Sequence, residues 1–485
     1  MSCSMSPANV PPGGMAWAWR ILEADAPGNA AAFRRAGDPA RRRRHGSFPA
    51  GPEAAGRERV HCPAMTTRVR SRFPTILSLI VLLSPIAPGC AVNRHVLTRR
   101  ELECRRAAYL DQAAHDRRDA IQKIVRRMVR EHEEYAQSGK SGPEPVFDVL
   151  IISGGGDKGA FAAGFLAGWV TVEGPLARPM FDVVTGVSTG ALIAPFAFTG
   201  DNLADARILK IYQEPQKDWS QVRDWFFFLP GRESFVDATG IKRDIQREVG
   251  RKILLDMARG AVEDRVLAIG TTNLDLGLPH TWDLSEEAVR ALSGGKVGRV
   301  HEILRASAAI PAIFPPVVID DALHVDGGTT SNILIIDDLR ADDTPRHILR
   351  REHPDVPLPR IRYWVIINNR INPDPKIIQP TWVSITEASV DAMIRSSEMT
   401  TLRNFAEQVE FISRTEPDAR VELRWVAIPD AWNPPEPGIF QPENMRLLAE
   451  LGMRMGVDPG SWRTNLARIG PRDLESPPVC LPDGR

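Results

Sequence analysis

The pentapeptide Gly186-Val187-Ser188-Thr189-Gly190 is a G-x-S-x-G motif, the arrangement that holds a serine on a sharp strand-to-helix turn with its Oγ presented outward. Side chains at the flanking positions would strike neighbouring backbone, so Gly186 and Gly190 permit the turn and Ser188 is the candidate nucleophile. A serine hydroxyl attacks only when a base takes its proton. The histidines that follow are His280, His301, His324, His347 and His353, and none has a favourable setting. His301 falls within a predicted helix, and His347 and His353 lie in a charged, proline-containing stretch that reads as surface loop. Asp326 is different: it stands at the end of a predicted strand and is followed by Gly327-Gly328. An α/β sheet presents catalytic groups at such strand ends, although Asp-Gly is also a common turn, and the spacing leaves both readings open. His324, two residues earlier, would project to the same side of the strand about 6–7 Å away. It reads as a packing or supporting group, and it is the histidine that could extend a pair to a triad.

A second group is Ser153-Gly154-Gly155-Gly156-Asp157-Lys158-Gly159. Glycines here allow positive φ and let backbone N–H groups approach an anion with no Cβ in the way, and the following helix N-terminus adds partial positive charge. Such a loop can hold a phosphate or an oxyanion. It has neither the G-K-[ST] ending of a P-loop nor the glycine spacing of a dinucleotide fingerprint. Lys158 lies where the helix dipole disfavours a cation, so it is expected either to face an anionic substrate or to hold the loop through backbone carbonyls.

The elements that must position these groups follow an α/β order. Residues 146–152 are an apolar, β-branched run that leads into the glycine loop, and residues 160–169 read as a buried helix. Residues 181–185 read as the strand before Ser188 and residues 191–198 as the helix after it. Short strands are predicted at 317–319 and 323–325, just before Asp326. Further strands at 361–367 and 421–428, with a long helix over 386–411, indicate that the sheet continues beyond Asp326. Trp382, Trp432 and Trp462, with Met393 and Met399, could border an acyl-chain groove, but core packing is the favoured use for most of them. Asp224-Trp225-Phe226-Phe227-Phe228-Leu229-Pro230 reads either as a lid or interfacial contact or as a buried connection.

The glycine-rich loop with its basic residue, the serine in G-x-S-x-G, the segment from Ile303 through Ser307 to Pro316 and the later Asp-Gly-Gly together resemble the patatin-like phospholipase family. The resemblance covers residues 148–339. It implies an α/β protein of three-layer α/β/α architecture with a mainly parallel central sheet. It also implies a Ser–Asp dyad without histidine, in which Ser188 is the nucleophile and Asp326 the base. Gly154, Gly155 and Gly156, with Lys158 and Gly159 beside them, match the family's oxyanion loop. The expected activity is hydrolysis of lipid acyl esters, with a phospholipid or other lipid ester at a membrane surface as substrate and no metal or cofactor. Two other readings are an inactive lipid-binding lipoprotein on the same scaffold and a Ser–His–Asp esterase. The latter needs a histidine late in the chain, and none follows His353.

The rest of the 485-residue chain sets the context. Lys+Arg and Asp+Glu both total 61, so no global field argues for nucleic acid. The cysteines Cys3, Cys62, Cys90, Cys104 and Cys480 have no spacing suited to zinc or to a disulfide framework. Residues 1–64 are rich in Ala, Gly, Pro and Arg and read as a disordered or mis-assigned extension. Residues 65–90 have the layout of a secretory signal: Arg68, Arg70 and Arg72, then the apolar run 76–83, too short to cross a bilayer. Its end, Ile86-Ala87-Pro88-Gly89-Cys90, resembles a bacterial lipoprotein signal, which implies lipid modification of Cys90, an exported protein and, with Ala91 next, the outer membrane. Cleavage by an ordinary signal peptidase is the alternative. Residues 91–143 read as a charged helical segment, with Ile121, Ile124, Val125, Met128 and Val129 as an apolar stripe. Its Arg126, Arg127 and Arg130 could meet anionic headgroups, although a solvated face is the favoured reading. Residues 144–340 form the expected catalytic domain and 341–485 an α/β extension packed on it.

Overall fold

Alternate residues of each central strand feed two separate hydrophobic cores. In Val146–Ile152, for example, Leu150 and Ile152 point into one and Val149 and Ile151 into the other. Strands apolar on both faces must be covered twice, which dictates helices on both sides. The computed structural model describes residues 16–17, 97–216, 219, 238–336, 339, 341–372, 375–436 and 438–464, and those from residue 97 onward belong to one compact unit. The signal-like segment with Cys90, nearly all of residues 1–64 and the aromatic stretch 224–230 lie outside the described residues.

The strands are β1 (Val146–Ile152), β2 (Val183–Val187), β3 (Val266–Asn273), β4 (Leu278–Asp283), β5 (Val317–Ile319), β6 (Ala322–Asp326), β7 (Arg360–Arg370) and β8 (Val421–Ile428). They run in the order β4-β3-β2-β1-β7-β8. Pairing is parallel from β3 through to β8 and antiparallel between β3 and β4. The architecture is thus α/β with a mixed, mostly parallel central sheet, as expected. β3 extends past the end of β2: Val187 is opposite Gly270, and Thr271 to Asn273 pair instead with β6, with Thr271 opposite Asp326. Adjacent rungs of one strand therefore bring the ends of β2 and β6 together.

The helices are α1 (Arg99–Gln137), α2 (Ala160–Trp169), α3 (Thr189–Thr199), α4 (Asn202–Gln213), α5 (Thr239–Glu248), α6 (Arg251–Val262), α7 (Leu284–Leu292), α8 (Val297–Ser307), α9 (Pro345–Glu352), α10 (Trp382–Thr415) and α11 (Pro442–Gly456). One core gathers apolar residues of α2 to α8 and α11, and the other those of α1, α9 and α10. α1 begins with a capping box, Thr98 and Glu101 each satisfying the other's backbone N–H, which fixes where the helix starts. Its stripe packs inward as expected. Of its arginines, Arg126 and Arg130 pair with Asp264, and Arg127 pairs with Asp182, so they brace the fold. α2 and α11 meet backbone to backbone. A methyl group on Gly452 would lie 2.2 Å from the carbonyl oxygen of Phe161, and one on Gly164 would lie 2.0 Å from that of Ala449.

One local expectation needs correction. His347 does not lie in a surface loop: Thr344 caps α9, with Pro345 in its first turn, a start signal that the surrounding charges masked. Trp462 takes the favoured core role, packing against Phe165, Trp169 and Trp364 at centroid distances of 4.7–5.0 Å. Met399 is buried in the opposite core, while Trp432 packs partly buried on the first core and Met393 is exposed. The side chain of Trp382 is outside the described set. Among the described residues no helix is long and apolar enough to cross a membrane.

Candidate active site

Ser188 sits between β2 and α3 with φ 54° and ψ −125°, a backbone conformation that a non-glycine residue keeps only when its surroundings enforce it. Three contacts do so. A methyl group on Gly186 would lie 2.4 Å from the carbonyl oxygen of Gly190, and one on Gly190 would lie 2.3 Å from that of Ile152. The Ser188 N–H donates to Ser307 Oγ at 3.0 Å, and that hydroxyl donates to the Gly270 carbonyl at 2.6 Å. Ser307, the last residue of α8, thereby fastens the turn to β3. It lies within the segment quoted for the family resemblance, but nothing in its local pattern marks this role.

Asp326 ends β6. Its N–H donates to the Ala309 carbonyl at 2.9 Å, its carbonyl accepts from Thr272 Oγ1 at 3.0 Å, and its Oδ1 accepts from Gly328 N–H at 2.8 Å. The other oxygen, Oδ2, is buried without a hydrogen bond. Burial pushes the carboxyl up to about 7, and the nearby Ser188 hydroxyl and the Gly328 N–H work against that rise. Ser188 is near enough to act on the carboxyl, although no Ser188–Asp326 hydrogen bond is formed among the described residues.

The glycine loop follows β1 and presses on this pair. A methyl group on Gly154 would sit 3.0 Å from Ser188 Cβ, and one on Gly159 would sit 2.0 Å from Thr189 Oγ1. The three glycines are not equivalent. Gly154 N–H is already given to the Asn332 carbonyl at 3.1 Å, so the donor role expected of it is closed. Among the hydrogen bonds of the described residues, none occupies the N–H of Gly155 or Gly156. Gly156 takes φ 61°, which glycine adopts without steric cost, and Gly155 is held against Asn368, 2.6 Å from where its Cβ would be. Lys158 lies in the turn Gly156–Gly159, half exposed, and donates to Asn369 Oδ1 at 3.1 Å, with Asp391 at 3.8 Å. Side chains of β7 and α10 receive it, not the backbone carbonyls of its own loop.

A cleft with about 700 Å³ of empty space, part of it open to solvent, runs to Ser188 and Gly156. Its walls are mainly apolar, with Leu192 and Phe196 of α3, Ile208 of α4, Ile245 of α5, Leu304 of α8, Phe314 and Phe440, while Asp244 and Glu248 of α5 add two carboxyl groups to the lining. Phe440 is also tied to the loop, its N–H donating to Asp157 Oδ2 at 2.8 Å.

The histidines stay apart from the pair. His324 shares a hydrogen bond with Thr271 at 3.0 Å, and burial depresses its pKa to about 4. His280 stacks on Trp282, also depressed by burial. His301 bonds to the Val249 carbonyl and His347 to that of Ala341. Four supporting residues escaped sequence reasoning: Ser307, Asn332, Asn368 and Glu398. Asn368-Asn369, two amides ending the apolar run of β7, did carry a signal, because polar residues at the carboxyl end of a parallel strand face the ligand crevice.

Residues 150–339 match the model of the patatin-like phospholipase family. Calcium-independent phospholipase A2-gamma of Oryctolagus cuniculus is 26% identical over 191 residues, 38% of this chain and 24% of that protein. The Homo sapiens protein of that name is 25% identical over 222 residues, 43% and 27% of the respective chains. The matches thus span about a quarter of the length of these relatives. Ser188, the glycine loop and Asp326 all fall inside the stretch 150–339, which is similar to the patatin-like phospholipase family and distantly homologous to calcium-independent phospholipase A2-gamma.

Proposed function

We propose that this chain is a serine acyl hydrolase that cleaves acyl esters of phospholipids or related lipids through a Ser188–Asp326 dyad. The observation that carries the reading is a mainly apolar cleft ending at a serine on a strained turn, next to a buried carboxyl with an unused oxygen. An acyl chain fills such a cleft and delivers its ester carbonyl to Ser188 Oγ. Oγ bonds to the carbonyl carbon as its proton passes to Asp326, and the N–H groups of Gly155 and Gly156 receive the negative charge that develops on the carbonyl oxygen. Collapse expels the alcohol, which takes the proton back. Water then repeats the sequence on the acyl-enzyme, losing a proton to Asp326 and releasing the fatty acid. His280 and His324 are buried where the imidazolium is disfavoured, which makes them weak bases, and each is engaged elsewhere, His324 with Thr271 and His280 against Trp282.

The test is hydrolysis of a lipid ester panel with fluorophosphonate labelling. Wild-type protein should hydrolyse the esters and take the label. Ser188→Ala should lose both while folding normally, and Asp326→Asn should lower turnover about 10²–10⁴-fold. His324→Asn should cost far less. An equally severe loss in the histidine variant would replace the dyad by a triad.

The same reading places the enzyme at a membrane surface. Arg68, Arg70 and Arg72, the apolar run 76–83 and Cys90 support export with lipid attachment, and several acyl chains anchor a protein stably where one does not. Labelled palmitate should appear in wild-type protein that sediments with membranes and be missing from Cys90→Ala. Unlabelled, soluble wild-type protein would refute the anchor and leave the chemistry at Ser188 standing.

A further inference from the structure

Glu398 of α10 is completely buried and lies outside the stretch matched by the family model. A carboxyl group is costly to bury, so what surrounds it is informative. Its Oε2 accepts from Asn369 Nδ2 at 2.7 Å. With the Asn369 amide held that way round, its Oδ1 faces Lys158 Nζ at 3.1 Å. The Ser153 and Asn332 side chains lie near enough to oppose, with Asn369 and the Lys158 charge, a burial effect that lifts Glu398 to about 7, but its Oε1 is buried without a hydrogen bond. Ser153 and Asn332 also grip the root of the glycine loop. Ser153 Oγ donates to the Gly154 carbonyl at 2.8 Å, the Asn332 carbonyl accepts from Gly154 N–H, and Asn332 Nδ2 reaches the Gly154 carbonyl at 3.4 Å. The hydrogen-bonded path from Glu398 thus runs through Asn369 to Lys158, on the far side of Gly155 and Gly156 from Gly154.

We propose that Glu398 is a positioning residue for the oxyanion loop, acting through Asn369 on Lys158. The proposal rests on the hydrolase reading for its kinetic consequence, but not for its structural one. Glu398 touches no substrate. It holds the Lys158 end of a loop whose middle N–H groups must stay aimed at the developing oxyanion, and donors placed loosely lose most of their benefit in the transition state. A helix distant in sequence thereby becomes part of the catalytic apparatus.

Two measurements on the full chain test it. In Glu398→Ala, kcat per fluorophosphonate-labelled site should fall about 10- to 100-fold with KM changed less than about threefold, because the loss falls on the transition state. Glu398→Gln keeps an acceptor for Asn369 and should recover most of that loss. Hydrogen exchange over residues 153–159 should accelerate in Glu398→Ala while the segment around Ser188 exchanges as in wild type. Lys158→Met, at a half-exposed position that folding tolerates, cuts the chain at its far end and should accelerate the same amides. Unchanged exchange in these variants, or an alanine variant with full kcat per labelled site, overturns the proposal. Accelerated exchange in a protein whose wild type hydrolyses no ester would uphold the positioning role and refute the hydrolase reading.

Discussion

Asp326 is fully buried and its carboxyl is raised to about 7, so near neutrality it is divided between the form the fold prefers and the form that can accept a proton. As a base it acts only when ionised, and kcat/KM should rise with pH through about 7. Stability moves the other way. In the unfolded chain an aspartate loses its proton near 3.9, while the folded protein retains it until about 7. Between those values the native state binds more protons than the unfolded state, and stability falls with rising pH. A difference of about three units corresponds to roughly 4 kcal/mol across the window. Asp326→Asn has no proton to lose. Its melting temperature should match or exceed that of wild type at pH 8, with the advantage shrinking towards pH 4. Thermal melts across that range check this, and a wild type that gains on the asparagine variant as pH rises would show that the carboxylate is stabilised in the fold.

Among the elements, the contact between α2 and α11 is the most demanding. α2 starts right after the glycine loop, and α11 approaches it so closely that the carbonyl of Phe161 occupies the place of a side chain on Gly452. Backbone cannot move aside as a flexible side chain can, so Gly452→Ala should destabilise by about 1–3 kcal/mol. A lower urea midpoint at unchanged slope would register it, and an unshifted midpoint would show that the helices can part freely. What was legible in the sequence divides along the same line. Ser188 and the glycine loop are set by strand, glycine and helix signals within a dozen residues, and those elements fall where the pattern puts them. The meeting of Asp326 with Ser188 depends on β3 extending past β2 and pairing Thr271 with Asp326, a register that no local run encodes. Glu398 looks in sequence like any solvated glutamate on a long helix. Only the packing of α10 over β7 distinguishes it.

For the molecule as a whole, the central sheet extends beyond the matched stretch 150–339. β1, which carries the glycine loop, lies between β2 and β7, and β8 completes that side. Without β7, β1 would be an exposed apolar edge, a template for aggregation, and Asn368, Asn369, Glu398 and Phe440 would all be missing from the site. Residues 144–340 expressed alone should be insoluble and take no fluorophosphonate label, whereas residues 94–485 should be soluble and take it. A soluble, labelled short form would show that the later strands are dispensable.

The late arrival of α11 also has a meaning in time. The ribosome makes the glycine loop early, and the helix that backs α2 and the Phe440 wall beside the loop come only after all the strands have been made. Until then the nucleophile has emerged but its setting has not. If the chain is the hydrolase proposed, its site is complete only once α11 has been made, so the growing chain should be inactive until then.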